Sequence, residues 1–182
     1  MGLNEQFEQN KQLIKIGDWV FENLNKFEVY ILLIFIIGLT FRMFTEINSS
    51  LLIIIPLLIL GISYFLKSFS TIANENISGL ERFIYKLASW SASVSVVGIC
   101  YKIESWPGAD TMLFIGITSL IIAIPLIIYK RIQNTDLELF DNRLFVRLLL
   151  ILTFSLTISL TQNSVLEEIG LTKKINTETI EE

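Results

Sequence analysis

The chain has 182 residues, 52% of them hydrophobic and 18% charged, with a net charge of −4; soluble domains usually carry about 25% charged residues. With no histidine, and Cys100 as the single cysteine, it lacks the commonest general base and zinc ligand, any intrachain disulfide and any thiolate metal cluster, so most hydrolytic mechanisms and metal centres are excluded. The acidic balance and the absence of a Lys/Arg run exclude nucleic acid as a partner.

The first element in chain order is an amphipathic helix over residues 7–27, within an N-terminal segment 1–28. Leu13, Ile16, Gly17, Val20, Leu24 and Phe27 fall on one stripe, while Lys11, Lys15, Asp18, Glu22 and Lys26 take the opposite face, the pattern of a helix lying in a membrane interface. Glu5 and Glu8 precede any apolar run, so the start does not read as a secretory signal and no cleavage is expected.

Five apolar segments follow, at about Val29–Phe44, Leu51–Phe69, Phe83–Ile103, Met112–Tyr129 and Leu144–Leu160. Each approaches the about 20 residues that a helix needs to cross about 30 Å of hydrocarbon. The expected fold is therefore all-α, an integral membrane helical bundle of about five transmembrane helices in contact with a lipid bilayer. Its parts are a first hairpin over 29–69, a second over 83–130, a link and fifth span over 131–161, and a polar tail over 162–182.

The third segment is unusual in its small residues. Ala88 with Ala92, and Ser91 with Ser95, are each four apart on common helix faces, where small side chains let a neighbouring helix approach closely. This face is expected to pack centrally. Within segment 133–142, Thr135 followed by Glu138 forms a possible capping box, so the fifth helix can begin before the membrane. Arg147 lies in the first turn of that span. The tail has short apolar positions Val165, Leu166, Ile169 and Leu171 before an acidic end at Glu178, Glu181 and Glu182.

Counting basic residues sets the orientation. Ten of the fourteen Lys and Arg residues, including Lys11, Lys67, Arg82, Lys130 and Arg147, fall on the side of the N-terminus, against Arg42, Lys102, Lys173 and Lys174 on the other. A cytoplasmic N-terminus is expected, with the C-terminus outside.

The first and third spans share a pattern. Gly38-Leu39-Thr40-Phe41-Arg42-Met43 aligns with Gly98-Ile99-Cys100-Tyr101-Lys102-Ile103, with an acid close behind each, Glu46 and Glu104. The repeat unit is a helical hairpin. A basic residue near the outer helix end can snorkel to the headgroups or approach the terminal carbonyls. Alternatively it pairs with a carboxylate on a path for ions or protons.

The second turn reads Tyr101-Lys102-Ile103-Glu104-Ser105-Trp106-Pro107-Gly108-Ala109-Asp110, leading to Met112-Leu113-Phe114-Ile115-Gly116. Pro107-Gly108 reverses the chain and Trp106 suits an interface. This stretch, over residues 97–130 and more faintly 37–69, resembles the membrane hairpin of the gliding motility protein L family of Bacteroidetes. In that family the hairpin belongs to a proton-driven motor in which a Lys on the first helix is partnered by a Glu on the second. The resemblance implies a multi-pass protein of a bacterial inner membrane, with Lys102 matching the Lys. The place of the Glu falls at Ser119, Leu120 or a neighbour, none of them acidic, and the large cytoplasmic C-terminal region of the family is not represented.

Two functions follow from these readings. The first is a non-catalytic structural or scaffold subunit of a cell-envelope complex, binding other membrane proteins or a second copy of itself. The second is a small transporter or ion-channel subunit, with Ser91, Ser95, Thr118 and Ser119 along its path and breaks at Pro56 and Pro125. An enzyme is not expected, because a serine without a partner base is not an activated nucleophile, and neither a catalytic group nor a cofactor site is evident.

Overall fold

The computed structural model describes residues 3–45, 49–70, 79–133 and 142–172, with side chains from residue 11 onward. Glu46, the Thr135–Glu138 box, Lys173, Lys174 and the acidic end lie outside the described residues. The helices are α1 (Leu3–Phe44), α2 (Ser50–Lys67), α3 (Gly79–Ile103), α4 (Ala109–Gln133), α5 (Asn142–Leu160) and a short α6 (Asn163–Glu168). Of these, α1 to α5 are long and apolar enough to cross a membrane, and the fold is an all-α membrane helical bundle.

The hairpins are α1 with α2 and α3 with α4; α2 packs on α3, and α5 packs on both α3 and α4. Three neighbours thus surround α3. Its composition permits this, because small residues let helix axes approach without a large hydrophobic side chain being displaced.

The repeat seen in the sequence has a geometric counterpart. A methyl group added at Gly38 would lie 2.9 Å from the Leu52 carbonyl oxygen, and one at Gly98 would lie 3.0 Å from the Leu113 backbone nitrogen. Each glycine therefore marks the place where the second helix of its hairpin crosses the first at backbone contact. Gly116 makes the reciprocal approach, where an added methyl would meet Ser95 Oγ at 2.5 Å.

The structure differs from the sequence reading at both ends. Residues 7–27 and the first span are one continuous helix of 42 residues, about 63 Å long at 1.5 Å per residue. Nothing breaks it near residue 28, where the sequence has neither Pro nor Gly. The second half of the amphipathic stripe is covered by the chain itself: Val20 and Leu24 are buried, and Gly17 lies against the backbone of Leu66 to Ser70. Leu13, Ile16 and Trp19 stay exposed.

At the other end the first part of the tail is folded. Gly170 takes a left-handed φ of 71°, its N–H donates to Glu167 O, and Leu171 N–H donates to Leu166 O. This is a Schellman C-cap, and Leu166, which is buried, supplies its apolar contact with Leu171. The cap lies against the C-terminal end of α1, where a methyl added at Gly170 would stand 3.5 Å from Met43 Cα.

Candidate functional site

The polar side chains of the bundle collect in two layers, one toward each end of the helices. The first layer centres on Glu28, whose carboxylate is buried. It accepts a hydrogen bond from Tyr64 Oη of α2 at 2.5 Å and forms an ion pair with Arg147 of α5. Arg147 also donates to Asn25 Oδ1 at 2.9 Å, and its guanidinium lies over the Tyr64 ring, 5.7 Å from the centroid. Three helices are joined through this one carboxylate.

Its position follows from the register of the first hairpin. Gly38 lies beside Leu52 and Gly17 beside Leu66 to Ser70, so Glu28 is level with Tyr64, one turn inside the end of α2. Hydropathy starts the first span at Val29 and finds no acid deep inside any span; the packing buries Glu28 between α1, α2 and α5. A signal was present. Val20, Leu24, Glu28, Ile31 and Phe35 follow the helical period of the buried stripe, and all five are buried.

Further contacts close the same end of the bundle. Lys67 lies over the rings of Phe21 and Tyr85, at 5.2 and 5.9 Å, which stabilises a cation away from bulk water. Ser70 Oγ donates to Asp18 at 2.7 Å, Trp90 Nε1 donates to Ser68 Oγ at 2.8 Å, and Lys130 faces Glu81 at 3.6 Å.

The second layer, at the opposite end of the bundle, contains the two basic residues of the repeat. Arg42 pairs with Glu104 at 2.8 Å, and Ser50 Oγ donates to the other carboxylate oxygen at 2.9 Å. The first hairpin is thereby tied to the second. Lys102 reaches Asp110 at 2.6 Å, across its own turn; the lysine side chain is 8% exposed and the aspartate 74%, so the pair opens to the surface through the acid.

The turn itself is built by a C-cap on α3. Ser105 has a φ of 55°, its N–H donates to Lys102 O, and Trp106 N–H donates to Tyr101 O. That is again a Schellman arrangement. Its apolar contact is the edge-to-face pair of Tyr101 and Trp106, with ring centroids 4.9 Å apart. Pro107 and Gly108 are exposed, and Gly108, at φ 83°, accepts the Met112 N–H that opens α4.

Between the layers the interior is apolar apart from small hydroxyls. Ala88, Ser91, Ala92 and Ser95 are all buried, Ser91 donating back to Leu87 O at 2.6 Å. Ser93 donates across to Gly61 O at 2.7 Å. The Ser95 and Ser155 hydroxyls are buried without a partner among the described residues. On α4, Leu120 is fully buried, Ser119 half-buried and Thr118 exposed, so the serines and threonines of the expected path do not share one lining.

Residues 87–123 match the family model of the GldL N-terminal domain. The match covers the second half of α3, the capped turn and the first part of α4. It thus includes Ala88 to Ser95, Lys102 and Trp106 to Gly108, and begins ten residues before the stretch that carries the resemblance in sequence. No curated protein and no solved structure matches the chain.

Proposed function

We propose that this chain is a non-catalytic, multi-pass inner-membrane protein that serves as a scaffold subunit of a cell-envelope complex, with its N-terminus in the cytoplasm and other membrane proteins as partners. The observation that carries the reading is the state of the GldL-like hairpin. It keeps the basic residue of the first helix, yet Lys102 is engaged by the exposed Asp110 in the first turn of α4, and Ser119 and Leu120 stand deeper in that helix, where the resemblance implies an acid. A hairpin of that shape offers packing without the titrating pair of a motor.

The charge pattern supports the same reading. Glu28, Arg42, Lys102, Glu104 and Arg147 each have an oppositely charged partner within the chain, as buried charges require. The exposed Leu13, Ile16 and Trp19 on the inner extension of α1 give an apolar edge for the cytoplasmic interface or a partner helix. The test is affinity purification from the source cells in mild detergent, with co-purifying proteins identified and quantified. Stoichiometric recovery of larger envelope membrane proteins is expected; recovery of the chain alone overturns the scaffold.

A second reading, a small transporter or channel subunit, is favoured by one observation: the Glu28, Tyr64 and Arg147 cluster holds ionisable groups one turn inside the bundle, a placement typical of ion and proton paths. Liposomes containing the purified protein under an imposed potential separate the two. A leak that vanishes in Glu28→Gln selects the transporter.

A further inference from the structure

The helices α1 and α5 face each other without packing along their length. They are bridged at the inner end by Glu28 and Asn25 with Arg147, and further out by the edge-to-face pair of Phe35 and Phe154, whose centroids are 6.3 Å apart. Between the bridges lies a groove of about 840 Å³, floored by residues of α2 and α3 such as Leu60 and Ile99. Its side walls are Val29 and Leu32 on one helix and Leu150 and Ile151 on the other. Val29 and Leu150 are exposed at its lip, so the groove opens sideways, where a bilayer would be.

We infer that this groove is a binding site for an anionic phospholipid, with an acyl chain between α1 and α5 and the phosphate at Arg143. Two observations choose the occupant. The first is length: from Val29 to the Phe35–Phe154 bridge, α1 rises only about 10 Å at 1.5 Å per residue. A partner's spanning helix needs a continuous face of about 30 Å, whereas an acyl chain is narrow and bends past an aromatic bridge. The second is charge. The Arg147 guanidinium is neutralised by Glu28, but Arg143, at the same mouth and exposed, makes no ion pair among the described residues.

Among the described residues, Arg143 is therefore a cation without an acidic partner, beside the amides of Asn25 and Asn142. That set suits a phosphodiester whose headgroup brings no cation of its own; in phosphatidylcholine the choline already offsets the phosphate, and a second cation would stand beside Arg143. Basic pockets between membrane helices hold anionic headgroups in this way, and every methylene of the chain gains from leaving the open bilayer only if the groove wall fits it, which is why the wall residues are part of the site.

The experiment is native mass spectrometry of the purified protein, titrated in detergent with dioleoyl phosphatidylglycerol or with dioleoyl phosphatidylcholine. The expected result is one retained phosphatidylglycerol per chain. Arg143→Gln lowers its affinity about fivefold, the loss of one charge contact at a membrane surface, and lowers that of phosphatidylcholine by less. Leu150→Trp, which fills the groove, removes retention of both lipids, and Phe114→Trp on the exposed side of α4 leaves both unchanged. Equal retention of the two lipids in wild type and Arg143→Gln overturns the proposal, as does a dimer that disappears in Leu150→Trp. A photoactivatable acyl chain on the wild-type protein tests the site without depending on how any variant folds. Labelling confined to the peptides around Val29–Ile36 and Val146–Phe154 supports the site, and labelling spread over α4 refutes it.

Discussion

The carboxylate of Glu28 on α1 pairs with the guanidinium of Arg147 on α5 across 119 positions of sequence, and both side chains are only 11% exposed. Taking one charge away leaves the other buried without compensation, which costs about 3 to 5 kcal/mol, whereas replacing both by apolar groups is close to neutral. Glu28→Leu and Arg147→Leu are each expected to lower thermal stability in detergent strongly, and the double variant is expected to recover most of the loss. Additive losses in the double variant would mean that the two residues act independently.

The pair of Arg42 and Glu104 fastens the two hairpins beside their turns, with side chains 10% and 3% exposed. A hydrogen bond to a charged group contributes about 1.5 to 3 kcal/mol, against about 0 to 1 kcal/mol for a pair in open water. A double-mutant cycle of Arg42→Met and Glu104→Gln should therefore return a coupling above about 1 kcal/mol. A coupling near zero would place both groups in solvent.

Two glycines predict losses of different origin. Gly98→Ala forces a methyl to 3.0 Å from the Leu113 nitrogen, so the hairpin must open, at about 1 to 3 kcal/mol. Gly108 has nothing within 4 Å of an added methyl, but its φ of 83° penalises any L side chain by about 1 to 2 kcal/mol. Asn, which tolerates that region better than Ala, should restore part of the loss at position 108 and none at 98. Unfolding curves of the four variants decide the point; identical behaviour of Asn and Ala at 108 would contradict the backbone explanation.

The orientation drawn from basic residues predicts that reporter fusions at residues 75, 135 and 182 read inside, inside and outside. A cytoplasmic reading at 182 would remove α5 from the spanning set.

The sequence alone determined the class of this protein and its five long apolar helices, because a bilayer sorts apolar from charged residues so strongly that hydropathy reads directly as architecture. It also determined the hairpin repeat: the spacing of Gly38 to Arg42 and of Gly98 to Lys102 is local, and the constraint it encodes, backbone contact with the next helix, acts within one hairpin. The tertiary structure decided what depends on one helix's register against another. Glu28 reads in sequence as the last residue before a span; only its alignment with Tyr64 places it inside, and only the approach of α5 supplies Arg147. In the same way the tail reads only as polar with a few apolar positions until Leu166 finds cover, and the gap between α1 and α5 has no sequence signature, because it is made by two distant helices that meet only at its ends.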